Sequence, residues 1–251
     1  MIRNFFFEMK KNDDRIVIIK PSKPIKTILE TEGYPFKSKM HSNYVAKYQR
    51  KGFEYKSVRA YTKQENTLKG TPMFRTCPIK LMYQFTDENI LKISDKCCLK
   101  LKEEPVKKWQ KENNKLYGVL GIMKEEGGRR FNAQCLSIRG KEINFQPLVA
   151  VSKEWEEWLI STYNIEICHI YKEPYNFYRT GCKGCPFALN LQEELDILEK
   201  YFPAERKQCE YIWKPVYDEY RRIGYRLKKE GVINEQTTSK EEKKEASSES
   251  Q

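Results

Sequence analysis

Apolar residues recur every three or four positions in several segments of the chain, and this spacing predicts helices. In the clearest case Ser38 can cap a helix with Tyr44 and Val45 on one face, ending near Gly52. The other main predicted helices lie at residues 25–32, after Pro105, after Ser152, at 191–202 and at 205–229. The last of these helices is expected to be interrupted at Pro215.

Short continuous apolar runs predict buried strands at residues 15–20 and 116–122, and a third strand is predicted at 131–138. Residues 54–72 are polar and lack a clear period, so we expect them to be irregular. Because the predicted strands are separated by helical segments, the pattern favours an α/β fold with a largely parallel sheet.

The pattern also predicts one domain, residues 1–233, followed by a disordered tail at 234–251. The tail has no apolar residue larger than Ala246. Burial therefore cannot offset the entropy lost when such a segment becomes ordered.

Composition excludes two classes of protein. A hydrophobic content of 39 % with 13 % aromatic residues is too apolar for a disordered chain. No apolar run approaches the roughly 20 residues that span a bilayer, and residues 1–14 do not resemble a signal peptide. We therefore expect a soluble, cytoplasmic protein that does not enter a membrane.

The net charge is +12, and it belongs to the predicted domain, because the tail holds more Glu than Lys. Such a field attracts nucleotide phosphates, sulfate groups or a nucleic-acid backbone. Ordinary solvated lysines would give the same total, so charge alone does not identify the partner.

Four of the eight cysteines form two pairs. Cys182-Lys-Gly-Cys185 is a turn flanked by glycines that can bend both sulfurs toward one centre, and Cys97-Cys98 is an adjacent pair. Four thiolates can hold a 4Fe–4S cluster or zinc. The adjacent pair favours the larger cluster, although buried thiols or a redox dithiol remain alternatives.

The cations near these pairs agree with a negatively charged cluster, although each alone can be a solvated side chain. They are Lys96, Lys100, Lys102, Arg179 and Lys183. The other cysteines show no partner spacing, and His41 and His169 are expected to be structural.

Three motifs, taken in order, resemble the phosphoadenosine phosphosulfate reductase family, especially its reductase-like members from bacteria and phages. They are Cys-Cys-Leu-Lys-Leu-Lys at 97–102, Gly-Ile-Met-Lys-Glu-Glu-Gly-Gly-Arg-Arg at 121–130, and Arg-Thr-Gly-Cys-Lys-Gly-Cys-Pro-Phe at 179–187. The stretches at 18–25 and 33–39 and the Tyr-Arg-Leu at 225–227 look like the same family.

The resemblance implies a partial adenine-nucleotide-hydrolase-like (Rossmann-like) sheet with helices, followed by a C-terminal helical region. It implies that Cys97, Cys98, Cys182 and Cys185 ligate a 4Fe–4S cluster. Lys102 would then lie between the cluster and the substrate. Arg129, Arg130 and Arg179 would bind the phosphate and sulfate groups, a role that suits planar guanidinium groups.

The sequence departs from the family in two places. No segment matches the Ser-Gly-Gly-Lys-Asp-Ser-like loop that grips the nucleotide phosphates, and the Glu-Cys-Gly motif of the nucleophilic cysteine is missing. The last cysteine is Cys209, in Lys-Gln-Cys-Glu. We therefore expect an N-terminally truncated member that acts on an adenylylated or sulfated nucleotide together with a separate phosphate-loop chain.

Two alternatives remain open at this point. One is a basic iron–sulfur module that binds nucleic acid or a sulfur-modification complex without catalysis of its own. The other is a fragment of the family without activity. If the chain is the truncated member and is expressed without its partner chain, its exposed strand edges predict that it aggregates or pairs obligatorily.

Overall fold

A computed structural model describes residues 2–87, 89, 91–140, 142–177 and 181–229. The chain divides into two compact units, and we call them unit 1 (Met1–Ile28 and Lys96–Thr180) and unit 2 (Leu29–Asp95 and Gly181–Gln251). The predicted boundary at 233/234 and the predicted tail lie outside the described residues.

The described residues form a mixed α/β structure dominated by helices. The α-helices are α1 (Ile2–Asn12), α2 (Ile25–Glu32), α3 (Lys39–Lys51), α4 (Lys56–Tyr61), α5 (Glu104–Glu112), α6 (Lys153–Thr162), α7 (Leu191–Tyr201) and α8 (Pro203–Ile223). The strands are β1 (Tyr117–Val119), β2 (Leu136–Arg139) and β3 (Glu142–Phe145). None of the helices in this part of the chain is both long and apolar enough to cross a bilayer.

Helix α3 begins and ends where its sequence predicts. The Ser38 hydroxyl accepts a hydrogen bond from the His41 backbone N–H at 3.2 Å, so it caps the first turn. Gly52, with a φ of +53°, ends the helix. Helix α6 is capped in the same way, because Ser152 accepts from the Trp155 backbone N–H.

The core of unit 2 lies between α7, α8 and the segments around α3 and α4. Leu191, Leu195 and Leu198 of α7 are buried, as their spacing predicts. Helix α8 contains Pro215 in its interior and still runs without a break, so the predicted interruption is wrong. Trp213 lies before the proline and a further group of buried side chains after it, and this packing holds the helix together despite the lost hydrogen bond.

The sheet lies in unit 1, and among the described residues it has three strands in the order β1-β3-β2. β1 pairs with β3 in parallel, with Tyr117 opposite Ile143, and β2 pairs with β3 antiparallel, with Leu136 opposite Phe145. The sheet is therefore small and mixed, which corrects the predicted largely parallel sheet. Its apolar side chains are also exposed, with Val119 73 % exposed.

Three further predictions about local structure are wrong. Residues 15–20 form no strand; Arg15 instead pairs with Asp13 at 2.7 Å, in a turn after α1. Phe131 lies in a 3₁₀ turn, Gly128–Asn132, so the third strand starts only at Leu136. In the segment expected to be irregular, α4 buries Val58, Ala60 and Tyr61, which polar neighbours mask in the sequence.

Candidate metal-binding loop and anion-binding residues

The Cys182-Lys-Gly-Cys185 segment forms a tight loop in unit 2, just before α7. The Cys185 backbone N–H donates to the Cys182 carbonyl at 3.0 Å, which closes the turn. Gly184 has a φ of +62°, a left-handed conformation that glycine adopts without strain. Both cysteines are half-buried, so the loop has the form that the spacing predicts.

Three aromatic side chains of α8 hold this loop from one side. They donate hydrogen bonds to its carbonyl oxygens: Trp213 Nε1 to Lys183 (2.9 Å), the Tyr217 hydroxyl to Gly184, and the Tyr220 hydroxyl to Pro186 (2.9 Å). The donors stand four and three residues apart, so they share one face of α8. The three loop carbonyl groups, which would otherwise need water as a partner, are thereby paired inside the fold.

Gly184 is packed so closely on α8 that a larger residue would force Tyr217 and Cys209 to shift. A Cβ at this position would lie 2.5 Å from the Tyr217 hydroxyl oxygen and 2.8 Å from Cys209 Sγ. Cys209 is fully buried, and burial raises the pKa of its thiol to about 11. Cys209 is therefore an inert thiol that fills the space behind the loop.

Lys183, predicted as a counter-charge for a cluster, has partners on α8. Its ammonium group pairs with the Glu205 carboxylate and donates to Gln208 Oε1 at 2.6 Å. Burial lowers the pKa of Lys183. The ion pair therefore anchors the loop to the first turns of α8 as well as supplying charge.

The Cys97-Cys98 pair lies in unit 1, in a helical turn that leads into a π-helical segment, Leu99–Glu103, and then into α5. Neighbouring residues of a helix point about 100° apart, and π-helical segments are frequent at functional sites. Cys97 is buried and Cys98 half-buried. Lys102 is exposed in the π-helical segment, whereas Lys100 pairs with Glu104 at 2.8 Å.

The two cysteine pairs belong to different units, Cys97-Cys98 to unit 1 and Cys182/Cys185 to unit 2. In the part of the chain that the structure describes, no group of three or more His, Cys, Asp or Glu side chains is arranged as metal ligands. The four-thiolate site built from Cys97, Cys98, Cys182 and Cys185 thus stays a prediction.

The predicted anion-binding arginines differ in how far the structure describes them. Arg179 lies outside the described residues, and Arg129 lies in the 3₁₀ turn Gly128–Asn132. Arg130, in the same turn, is half-buried, and its Nε pairs with Glu126 Oε2 at 2.9 Å. Four more N–H donors of its guanidinium group can serve an oxyanion.

Arg130 and Gln146 both line a cavity of about 340 Å³ in unit 1. Gln146 is 7 % exposed, and its Oε1 has no hydrogen-bond partner among the described residues. A buried acceptor without a donor costs about 1–3 kcal/mol. Gln146 Oε1 is itself buried, so the group that the cavity offers to an anionic ligand is the Arg130 guanidinium. The sequence gives no signal for Gln146, because a lone glutamine belongs to no motif.

His41 is structural, as expected. It is fully buried in unit 2, with Nδ1 2.9 Å from the Tyr61 hydroxyl and Nε2 2.6 Å from Gln84 Oε1. Burial lowers its pKa to about 4, although the hydrogen bond to Gln84 opposes that shift. The imidazole is therefore neutral near pH 7 and cross-links α3 to α4 and the following segment.

Comparison with known families yields one match. The model of the phosphoadenosine phosphosulfate reductase domain matches residues 18–188, more than half of the chain. Searches of curated proteins and of solved structures gave no match. The matched range contains both cysteine pairs, Lys102, Arg130 and the cavity that Arg130 lines. The chain therefore belongs to the phosphoadenosine phosphosulfate reductase family.

Proposed function

We propose that this chain is an iron–sulfur protein with a sulfonucleotide-reductase-like function, which binds an adenylylated or sulfated nucleotide. The observation that carries the proposal is the family match over residues 18–188, because this range includes all four paired cysteines and the predicted anion-binding residues. The fold expected of such a protein is the nucleotide-binding, Rossmann-like type, and the mixed α/β structure is consistent with it.

The donor set fits a 4Fe–4S cluster better than it fits a single zinc ion. Cys182 and Cys185 stand in a closed turn. Cys97 and Cys98 lie next to each other in a helical turn, which suits a ligand with several iron atoms more than a tetrahedral ion. A bound cluster would supply a centre that can exchange electrons.

The chain's own residues would bind and orient the nucleotide. Arg130 is half-buried at its cavity with donors to spare, and Lys102 is exposed next to the Cys97–Cys98 turn. Arg129 and Arg179 complete the proposed set of phosphate- and sulfate-binding groups.

Sulfonucleotide reduction by this chain alone is not part of the proposal. That reaction needs an accessible thiolate that attacks sulfur, and the family's Glu-Cys-Gly motif is missing from the sequence. Cys209 cannot replace it, because it is fully buried and burial raises its pKa to about 11. We propose that a separate chain supplies the phosphate loop; the exposed side chains of β1 and β2 in unit 1 give such a chain apolar surface.

The test of the cluster is anaerobic purification followed by measurement of iron and acid-labile sulfide per chain. We expect about four of each in the wild type and a loss in Cys97→Ser and Cys182→Ser. Cys135→Ser is the matched control, because Cys135 is exposed and belongs to neither pair. Zinc without sulfide, or an unchanged iron content in both ligand variants, would contradict the assignment.

The test of the ligand is calorimetric binding of adenosine 5′-phosphosulfate to the wild type and to Arg130→Met. Binding that weakens at least tenfold in the variant supports the proposal. Salt-dependent binding of duplex DNA by a protein that ignores the nucleotide would instead identify a nucleic-acid module.

A further inference from the structure

Two short motifs that lie far apart in the sequence meet in unit 2, beside the end of the Cys182–Cys185 loop. Phe36 is fully buried, with its ring 4.6 Å from that of Tyr220 and 6.4 Å from that of Tyr225. The Tyr220 and Tyr225 rings are 5.4 Å apart. These three rings form one rigid cluster, so the residues that follow Phe36 and Tyr225 have fixed positions.

Those following residues are both cations with an unusual backbone. Lys37 has a φ of +59° and Arg226 a φ of +60°. The left-handed region is uncommon for residues other than glycine, and it persists only where the surroundings impose it. Such conformations concentrate at binding and catalytic sites.

The left-handed backbone at Lys37 and Arg226 is held in place by hydrogen bonds to one tyrosine and one carbonyl group. The Lys37 backbone N–H donates to the Tyr220 hydroxyl at 2.8 Å, and that hydroxyl donates to the Pro186 carbonyl at 2.9 Å. Arg226 Nη1 donates to the same carbonyl. Lys37 and Arg226 thus belong to one network that ends at Pro186, the residue after Cys185.

The positive charges in this network are not balanced. Lys37 and Arg226 are part-buried, and among the described residues neither forms an ion pair with a carboxylate. Burial lowers the pKa of Lys37, and the nearby Arg226 and Arg75 lower it further, with only the Cys77 thiol opposing them. Part-buried cations without counter-charges are costly unless an anion completes the site.

We propose that the Lys37 ammonium and Arg226 guanidinium groups together bind one oxyanion, the phosphate or sulfate group of a small nucleotide. The guanidinium group supplies a planar fork of donors and the ammonium group a point charge, and phosphate and sulfate groups accept from both. Arg75 adds positive potential to the same place. The identity of the nucleotide rests on the proposed function, but the existence of the oxyanion site does not.

The experiment measures binding of inorganic pyrophosphate to the full-length protein, as purified anaerobically, by calorimetry at constant ionic strength. We expect at least tenfold weaker binding in Lys37→Met and in Arg226→Met. Lys37→Arg keeps the charge and should stay within threefold of the wild type. Lys63→Met is the matched control, because Lys63 also has a left-handed backbone, with a φ of +63°, but is exposed.

Thermal unfolding of each variant shows whether it is folded, and recovery of binding in Lys37→Arg excludes a merely structural effect of Lys37→Met. Wild-type protein that does not bind pyrophosphate, or variants that bind it as the wild type does, would overturn the proposal. The same titrations with adenosine 5′-phosphosulfate separate the two hypotheses. Pyrophosphate binding that depends on Lys37 and Arg226, without nucleotide binding, supports the oxyanion site and rejects the nucleotide function.

Discussion

A single methyl group at Gly184 tests how tightly the Cys182–Cys185 loop is seated on α8. An alanine Cβ would lie 2.5 Å from the Tyr217 hydroxyl oxygen, 2.8 Å from Cys209 Sγ and 2.9 Å from Cys209 Cβ. Overpacking of this kind costs about 1–3 kcal/mol. The left-handed backbone adds about 1–2 kcal/mol for alanine. We therefore expect Gly184→Ala to lower the free energy of unfolding by about 2–5 kcal/mol.

Two other glycines of unit 2 separate these contributions. Within the described part of the chain, a Cβ at Gly181 of the same loop meets no atom within 4 Å, and no left-handed φ applies there. Gly181→Ala should therefore change stability by less than about 0.5 kcal/mol. Gly70 has a φ of +75° with no described atom within 4 Å of its Cβ. Gly70→Ala should show the backbone cost alone, about 1–2 kcal/mol.

The assay is urea unfolding of the cluster-free protein, followed by tryptophan fluorescence, since buried Trp213 bonds directly to the loop. Tyr217→Phe removes the hydroxyl oxygen that lies closest to a Cβ at Gly184. In that background, the loss in free energy of unfolding caused by Gly184→Ala should be smaller by about 1 kcal/mol. A Gly184→Ala protein no less stable than Gly70→Ala would refute the tight packing of loop on helix. One as stable as Gly181→Ala would refute the backbone argument as well.

Three further predictions concern polar groups inside the two units. His41→Leu leaves the Tyr61 hydroxyl and Gln84 Oε1 without their partner and should cost about 2–4 kcal/mol in urea unfolding. Because the pKa of His41 is lowered from 6.5 to about 4, the wild type should lose stability as pH falls through this range, and the variant should lack that loss. Burial raises the pKa of Glu194 from 4.5 to about 7. Ionisation of this carboxyl group therefore destabilises the fold as pH rises through that range. With solvent screening allowed for, we expect Glu194→Gln to raise the free energy of unfolding by about 1 kcal/mol at pH 8. Gln146→Leu should keep or raise the melting temperature, since it removes an unpaired buried acceptor.

Each of these outcomes can fail separately. A His41→Leu protein with the acid sensitivity of the wild type would show that the imidazole is not the group that titrates. If Glu194→Gln gains nothing at pH 8 relative to pH 5, the carboxyl group is better solvated than its burial indicates. A Gln146→Leu protein that melts at a lower temperature than the wild type would show that this oxygen is not an unpaired buried acceptor.

The helices were predictable because their signals are local. The Ser38 cap, the Gly52 terminus and the leucine face of α7 each depend on residues within one or two turns. The strands could not be predicted as well, because their pairing partners and their burial are set by the rest of the chain. Residues 116–122 contain a strand, as expected, but Tyr117 and Val119 are exposed rather than buried.

The candidate site could be predicted only where its residues lie close together in the sequence. The Cys182–Cys185 spacing and its glycines predict the loop, but nothing nearby indicates that α8 will clamp it. In the sequence, the side chains that clamp it form only an apolar helix face: Trp213, Tyr217 and Tyr220. Their N–H and O–H groups donate to carbonyl groups some 30 residues earlier in the chain. Lys37 and Arg226 both stand in family-like motifs, yet only the structure brings the two motifs together.

Unit 2 is assembled from two stretches of chain that residues 96–180 separate. The hydrogen bond from Lys37 to Tyr220 spans 183 positions, so at about 5–20 residues per second the ribosome makes the second partner roughly 10–40 s after the first. Throughout that delay Phe36 lacks the ring that covers it. The first stretch of unit 2 therefore stays incompletely folded, and accessible to chaperones, until α8 has been synthesised and packs against it.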